Sequence, residues 1–186
     1  MIKKVAIFAS GSGSNAENII RFFSGEKNVI FPFILSNKSD AFVKNRAEKL
    51  NIPFIFFTKE QWINGEILNL LKNEGIDLIV LAGFLLKVPS ELIEAYPKKI
   101  VNIHPSLLPK YGGKGMFGHH VHEAVLAAGD AESGITIHYI DEHYDEGAVI
   151  LQVKCPVLPD DTPDTLASRV HQLEYEHFPV VIEGLL

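Results

Sequence analysis

Asn102 and His104 stand two residues apart in the run Ile-Val-Asn-Ile-His-Pro at positions 100–105. Ile100, Val101 and Ile103 are apolar and β-branched, which predicts a buried strand. Pro105 ends it, because proline donates nothing to a sheet ladder. Residues two apart in a strand point to the same side. An amide and an imidazole therefore emerge together where a strand gives out, and in open parallel α/β sheets ligands sit beyond the carboxyl ends of strands. Both side chains can donate hydrogen bonds to a developing oxyanion, and the imidazole can also carry a proton. Spacing alone equally allows two polar groups satisfied at a strand end.

Other stretches hold chemistry of their own. Gly11, Gly13 and Ala16 fit a G-x-G-x-x-A pattern after an apolar run. The acidic residue that a dinucleotide needs is missing, since Ser36, Asn37 and Lys38 stand at the end of the second predicted strand. A simple phosphate site is the better reading. Gly13, Ser14 and Asn15 would supply N–H groups, a hydroxyl and an amide at a helix N-terminus. Ser14 and Glu17 also have capping-box spacing, so the loop could serve only to start the helix. No P-loop lysine is present to favour a triphosphate. Residues 141–147 carry four carboxylates, which by themselves suggest a solvated turn. If Asp145 approached His104, its charge would favour the imidazolium. His119, His120, His122 and Glu123 invite a metal reading, but a site needs a third ligand from elsewhere, and no metal is expected. His119 is instead a candidate core or pocket residue, and His138 a candidate inward partner. Gly112, Gly113, Gly115 and Gly118 make a lid or a plain connection, with Lys114 as a candidate anion contact. Leu81, Ala82, Gly83 and Phe84 suit an apolar lip for a flat ring, with ordinary core as the simpler reading.

These residues need a scaffold, and the patterning predicts one. Residues 5–9 read as a central strand covered on both faces. A helix over 15–23, a strand over 29–36, a helix over 40–50 and a strand over 53–57 follow. Next come a helix over 60–73 ended by Gly75, a strand over 77–82 and a short helix over 89–96. With the strand ending at His104, the order is βαβαβαβαβ, a doubly wound, Rossmann-like, mostly parallel α/β sheet. A helix over 119–128 comes next, then strands over 134–140 and 148–153 as an antiparallel pair, and a long helix from Pro163 to the terminus.

Bulk properties narrow the classes. At 186 residues, one domain over 1–186 is expected. The net charge of −6, from 17 Lys+Arg against 23 Asp+Glu, disfavours a nucleic-acid surface. The single Cys155 excludes an internal disulfide and suits a reducing compartment. The opening apolar run is too short for a secretory leader and leads straight into the glycine loop. No apolar run approaches the ~20 residues of a membrane span. A cytoplasmic protein with neither nucleic acid nor membrane as partner is expected.

Taken in order, Asn-Ile-His-Pro-Ser-Leu-Leu-Pro at 102–109, the loop at 10–15, Leu-Ala-Gly-Phe at 81–84 and Gly-Ile-Thr-Ile-His-Tyr-Ile at 134–140 followed by Asp145 resemble the folate-dependent formyltransferases. The resemblance covers nearly the whole chain and is strongest to the members that formylate glycinamide ribonucleotide in purine biosynthesis. It implies 10-formyltetrahydrofolate as formyl donor, glycinamide ribonucleotide as acceptor, no metal, and a monomer or homodimer. It implies that Asn102 and His104 polarise the formyl oxygen, and that Asp145 keeps His104 protonated and helps move protons. Gly13, Ser14 and Asn15 would hold the substrate phosphate, and Glu174 would contact the glycinamide. Leu85, Val88, Ile140, Asp141 and Tyr144 would line the folate pocket. The sequence departs from the commoner pattern in a longer, glycine-richer loop at 112–118, in Leu86 where a basic residue is frequent, and in Glu146 where glycine is frequent. Methionyl-tRNA formyltransferases and formyltetrahydrofolate hydrolases share the central motif but carry a further domain that this chain is expected to lack. A non-catalytic nucleotide- or folate-binding module would explain the loop but leave Asn102, His104 and Asp145 without a task.

Overall fold

The computed structural model describes all residues, Met1–Leu186. They form two compact units, 1–101 with Leu186, and 102–185.

In the first unit, β1 (Lys3–Phe8) pairs in parallel with β3 (Ile34–Ser36) on one side and β5 (Leu78–Leu81) on the other, and β4 (Phe54–Phe56) pairs with β3. Val5, Ala6, Ile7 and Phe8 have no exposed surface, as a strand covered on both faces requires. The single strand predicted over 29–36 is two. β2 (Val29–Ile30) pairs with the start of β1 and β3 with its end, and Pro32 stands in the gap, where it has no N–H to give the ladder. The helix predicted over 60–73 is also two, α3 (Lys59–Ile63) and α4 (Glu66–Glu74). Gly65 parts them with φ 86°, and Thr58 starts α3 with a full capping box through Gln61. The remaining helices are α1 (Ser14–Phe22), α2 (Val43–Lys49) and α5 (Ser90–Ala95). Phe8, Phe57, Trp62 and Phe84 pack with ring centroids 5.2–6.1 Å apart, and the Trp62 indole N–H donates to the Lys87 carbonyl at 2.8 Å. Phe84 is thus core, the simpler of its two readings.

β6 (Ile100–His104) carries the chain from the first unit into the second. There α6 (His119–Ala128) precedes an antiparallel pair, β7 (Glu132–Tyr139) with β8 (Val149–Pro156). Ser133 to His138 are all buried, so the period-two pattern of β7 separates apolar Ile135 and Ile137 from polar Thr136 and His138, not core from solvent. α7 (Pro163–Leu185) closes the chain. Its buried stripe runs Leu166, Val170, Glu174, Phe178, Ile182, every fourth residue, with one carboxylate among the apolar side chains. The architecture is the α/β class the sequence predicts: a mostly parallel sheet, C-terminal antiparallel strands and a long terminal helix. No helix is long and apolar enough to cross a membrane.

Candidate active site

β6 ends in two polar groups, as its sequence requires, and the second unit surrounds both. His104 is buried. Its Nε2 lies 2.7 Å from the Tyr111 carbonyl oxygen. A carbonyl only accepts, so Nε2 carries the proton and Nδ1 is the basic atom of the neutral ring. That Nδ1 lies 3.6 Å from Oδ2 of Asp145. Asp145 sits in the 141–147 turn with φ 58°, a left-handed conformation that aspartate tolerates better than most residues. Oδ2 accepts the Gly113 N–H at 2.8 Å. The two loops approach closely at Gly112, where a Cβ would stand 3.3 Å from that of Asp145 and 2.6 Å from Leu108 Cδ2.

Asn102 is held from β7. Its Nδ2 lies 3.1 Å from Nε2 of His138, and His138 Nδ1 lies 2.9 Å from the Tyr139 carbonyl. The carbonyl fixes the proton on Nδ1, so Nε2 accepts from the Asn102 amide. One Asn102 N–H is used in this way and the other remains for a ligand. Asp145 Oδ1 lies 3.6 Å from the same His138 Nε2. Thr136, two residues before His138 and fully buried, braces the segment that follows His104. It accepts from the Leu108 N–H at 3.0 Å and donates to the Ser106 carbonyl at 2.7 Å. The Leu108–Pro109 peptide there is cis.

The charges follow from this packing. Burial lowers the His104 pKa, and the opposing pull of Asp145 and the Tyr111 carbonyl does not make up the difference. Asp145 does pull the His104 pKa upward, as expected, but the implication that it keeps His104 protonated is corrected, because burial outweighs that pull. The carboxylate is close enough to act, but the ring is too dry for it to prevail. Burial would raise the Asp145 carboxyl, yet its attraction to the protonated forms of His138 and His104, with the Gly113 N–H, holds it below its ordinary value. The site contains a carboxylate beside a neutral imidazole, ready for a second proton.

Glu174 is buried, and its carboxylate receives His171 Nδ1 at 2.8 Å. That contact raises the His171 pKa against the effect of burial. Of the three histidines on α6, His119 was the candidate for burial, but it is half exposed and pairs loosely with Glu123 at 3.8 Å and Asp164 at 3.7 Å. His122 is the buried one. Burial and the nearby His171 push its pKa down to about 4, and its Nδ1 has no hydrogen-bond partner.

The glycine loop belongs to the first unit. Gly13 precedes α1 with φ 72°, and a Cβ there would stand 2.2 Å from Val43 Cγ2 and 2.9 Å from Val43 Cα. Only glycine allows α1 and α2 to approach so closely. The capping box read from Ser14 and Glu17 does not form. The N-cap is Gly13, which has no side chain to cap with, and Glu17 instead binds Arg21 at 2.8 Å and Arg46. Arg46 also donates to the Ser12 carbonyl at 2.8 Å, tying the loop to α2. Asn15 is buried and Ser14 half-buried. Of the residues assigned to folate, Val88 is buried and Leu85 exposed in the first unit. In the second, Ile140 and Asp141 are half-buried and Tyr144 is exposed.

The second unit thus brings Asn102, His104 and Asp145 together and adds Tyr111, which no local pattern marks, and Gly113, which the sequence offered only as part of a lid or a plain connection. His138 was legible as an inward residue of β7, though not as the partner of Asn102. Glu174 had a readable signal, an acid at the central position of an every-fourth-residue apolar stripe.

Donors at a strand end beside a paired histidine and carboxylate are groups that can stabilise an oxyanion and move a proton. The chain belongs to the formyl transferase family, whose model matches residues 3–182. It is 40% identical over 98% of its length to the chloroplastic phosphoribosylglycinamide formyltransferase of Arabidopsis thaliana, and 36% identical over 98% to the phosphoribosylglycinamide formyltransferase of Haemophilus influenzae. It spans 86% of the Haemophilus protein but less than two thirds of the plant relatives, 65% of the Arabidopsis protein and 61% of one from Vigna unguiculata. Among solved structures, glycinamide ribonucleotide transformylase 1 from Geobacillus kaustophilus superposes with a TM-score of 0.90 at 36% identity, covering 100% of both chains.

Proposed function

We propose that residues 1–186 act as one formyltransferase domain that transfers the formyl group of 10-formyltetrahydrofolate to the amine of glycinamide ribonucleotide. The observation that carries the reading is Asp145 at 3.6 Å from His104 Nδ1, beside Asn102 on the same strand end. The relatives named above supply the substrate pair.

The amine nitrogen attacks the formyl carbon, and negative charge collects on the formyl oxygen. The free Asn102 N–H receives it, joined by His104 once its Nδ1 has taken the proton that the attacking amine gives up. A neutral His104 costs less to bury than a charged one. As the oxyanion forms beside Asp145, two negative groups face Nδ1 and draw the ring toward its protonated form. The bond from the formyl carbon to the folate nitrogen then breaks. The amine loses one proton and the folate nitrogen gains one, with His104 and Asp145 as carriers. The products are formylglycinamide ribonucleotide and tetrahydrofolate. Gly13, Ser14 and Asn15 hold the phosphate at the start of α1, and buried Glu174 binds the glycinamide portion. Leu85, Val88, Ile140, Asp141 and Tyr144 contact the folate. None of these steps calls for a metal. The reading includes a cytoplasmic setting, a monomer or homodimer, and small molecules as the only partners.

The test is folate turnover from 10-formyltetrahydrofolate with and without glycinamide ribonucleotide. Turnover is expected only with the ribonucleotide, and turnover that ignores it points to a hydrolase and removes the transferase reading. Asp145→Asn is expected to abolish turnover while ribonucleotide binding stays measurable by calorimetry. Near-normal activity in that variant removes Asp145 from the mechanism.

A further inference from the structure

We propose that Tyr111 is a positioning residue for His104, and that its phenol, anchored on Asp130 at the end of α6, holds the 110–113 backbone in the shape that orients both His104 and Asp145. The inference rests on the reading of His104 and Asp145 given above.

The backbone of this short segment touches both groups. The Tyr111 carbonyl takes the Nε2 proton of His104, and two residues later the Gly113 N–H donates to Asp145 Oδ2. The first contact selects one ring tautomer and leaves Nδ1 as the atom that gains a proton. The second turns Oδ2 toward that same Nδ1. A shift of the segment therefore disturbs the tautomer and the carboxylate together.

The segment does not hold this shape by itself. Tyr111 has φ 55° and Gly113 φ 93°, both left-handed, and a tyrosine there is strained. Its neighbours 112, 113, 115 and 118 are glycines, which resist no change of conformation. The restraint comes from the side chains. Tyr111 Oη donates to Asp130 Oδ2 at 2.9 Å, and Lys110 Nζ reaches both Asp130 oxygens at 3.0 and 3.2 Å. Ser106 Oγ donates to the Lys110 carbonyl at 2.6 Å. Asp130 is itself fixed just past Gly129, the C-cap of α6. The Lys110 head is largely exposed, so its ion pair with Asp130 is screened and weak, and the phenol hydrogen bond is the main tie. The charged and titratable groups facing His104 are Asp145, His138, Glu174 and His122. Neither Asp130 nor Lys110 is among them, so the anchor acts on His104 through position and not through charge.

Tyr111→Phe tests this, because it keeps the carbonyl and removes only the hydroxyl. Imidazole ¹⁵N shifts of His104 are expected to report a single Nε2–H tautomer in the parent chain and a mixture in the variant. The variant's kcat for formyl transfer should fall roughly 10- to 100-fold, the scale of a misplaced catalytic group, with the ribonucleotide KM unchanged. Asp130→Ala should behave like Tyr111→Phe, whereas Asp130→Asn, which still accepts from the phenol, should stay near the parent. Parent-like ¹⁵N shifts in both Tyr111→Phe and Asp130→Ala overturn the proposal. A parent chain with the single tautomer but no formyl transfer overturns the functional reading and leaves the positioning role standing.

Discussion

The brace behind His104 makes a demanding stability prediction. Thr136 is fully buried on β7, and its hydroxyl is shared three ways: it accepts from the Leu108 N–H at 3.0 Å and from Gln152 Nε2 at 3.0 Å, and donates to the Ser106 carbonyl at 2.7 Å. Thr136→Val replaces the hydroxyl with a methyl of similar size, so packing is kept and only the hydrogen bonds go. Gln152 keeps its bond to the Leu108 carbonyl at 2.8 Å and can turn its remaining N–H to water. The Leu108 N–H and the Ser106 carbonyl cannot. At about 1–3 kcal/mol for each stranded buried group, the loss is roughly 2–4 kcal/mol, the lower half of the summed range. For a chain of this length that is roughly 5–15 °C in Tm. The assay is thermal and urea unfolding of the parent, Thr136→Val and Thr136→Ser. Serine keeps the hydroxyl and should lose only about 1 kcal/mol for the methyl. If valine melts within about 2 °C of the parent, less than the shift expected for 1 kcal/mol, Thr136 does not brace the segment and the reasoning fails.

Three further outcomes are expected. Asn102→Ala should lower kcat roughly 10²- to 10³-fold with little change in ribonucleotide affinity, as loss of one oxyanion donor does; steady-state kinetics with calorimetry separates the two. Gly13→Ala should lower stability by at least about 1 kcal/mol, since the new Cβ meets the Val43 backbone at 2.9 Å and the left-handed φ is unfavourable for alanine; the melting temperature reports it. His122, with its folded pKa pushed down to about 4 from 6.5, binds its proton less readily folded than unfolded. Its contribution is therefore complete above pH 6.5 and is lost as pH falls from 6.5 toward 4, because the unfolded chain takes the proton first. His122→Gln should flatten the fall in stability through that window, and an unchanged slope in urea midpoints would count against the assignment.

The strand ends, the order of elements and several breakers were legible because they depend on neighbours in the chain. Ile100, Val101 and Ile103 make β6, Pro105 stops it, and Gly75 ends α4 in the left-handed region. Boundaries failed where a single residue outweighed a long pattern, at Pro32 between β2 and β3 and at Gly65 between α3 and α4. The capping box failed for another reason: Gly13 takes the N-cap position, and Arg46, 29 positions along the chain from Glu17, competes for the carboxylate. Within the site, the shared side of Asn102 and His104 was readable from a spacing of two. The approach of Asp145 could only be posed as a condition, and the net effect of that approach on His104 was misjudged because burial has no local signature.

The sequence by itself determined which groups are available: two donors on one strand end, a carboxylate in a turn, and a glycine loop before a helix. Strand and helix periodicity is local, so it sets which side chains share a face. Tertiary structure decided how these groups are used. The Tyr111 carbonyl sets the tautomer of His104, His138 orients the Asn102 amide, and desolvation outweighs Asp145 in setting the charge on the ring. Each of these depends on distances of a few ångströms between residues up to 41 positions apart, and on the exclusion of water, which only the packed chain provides.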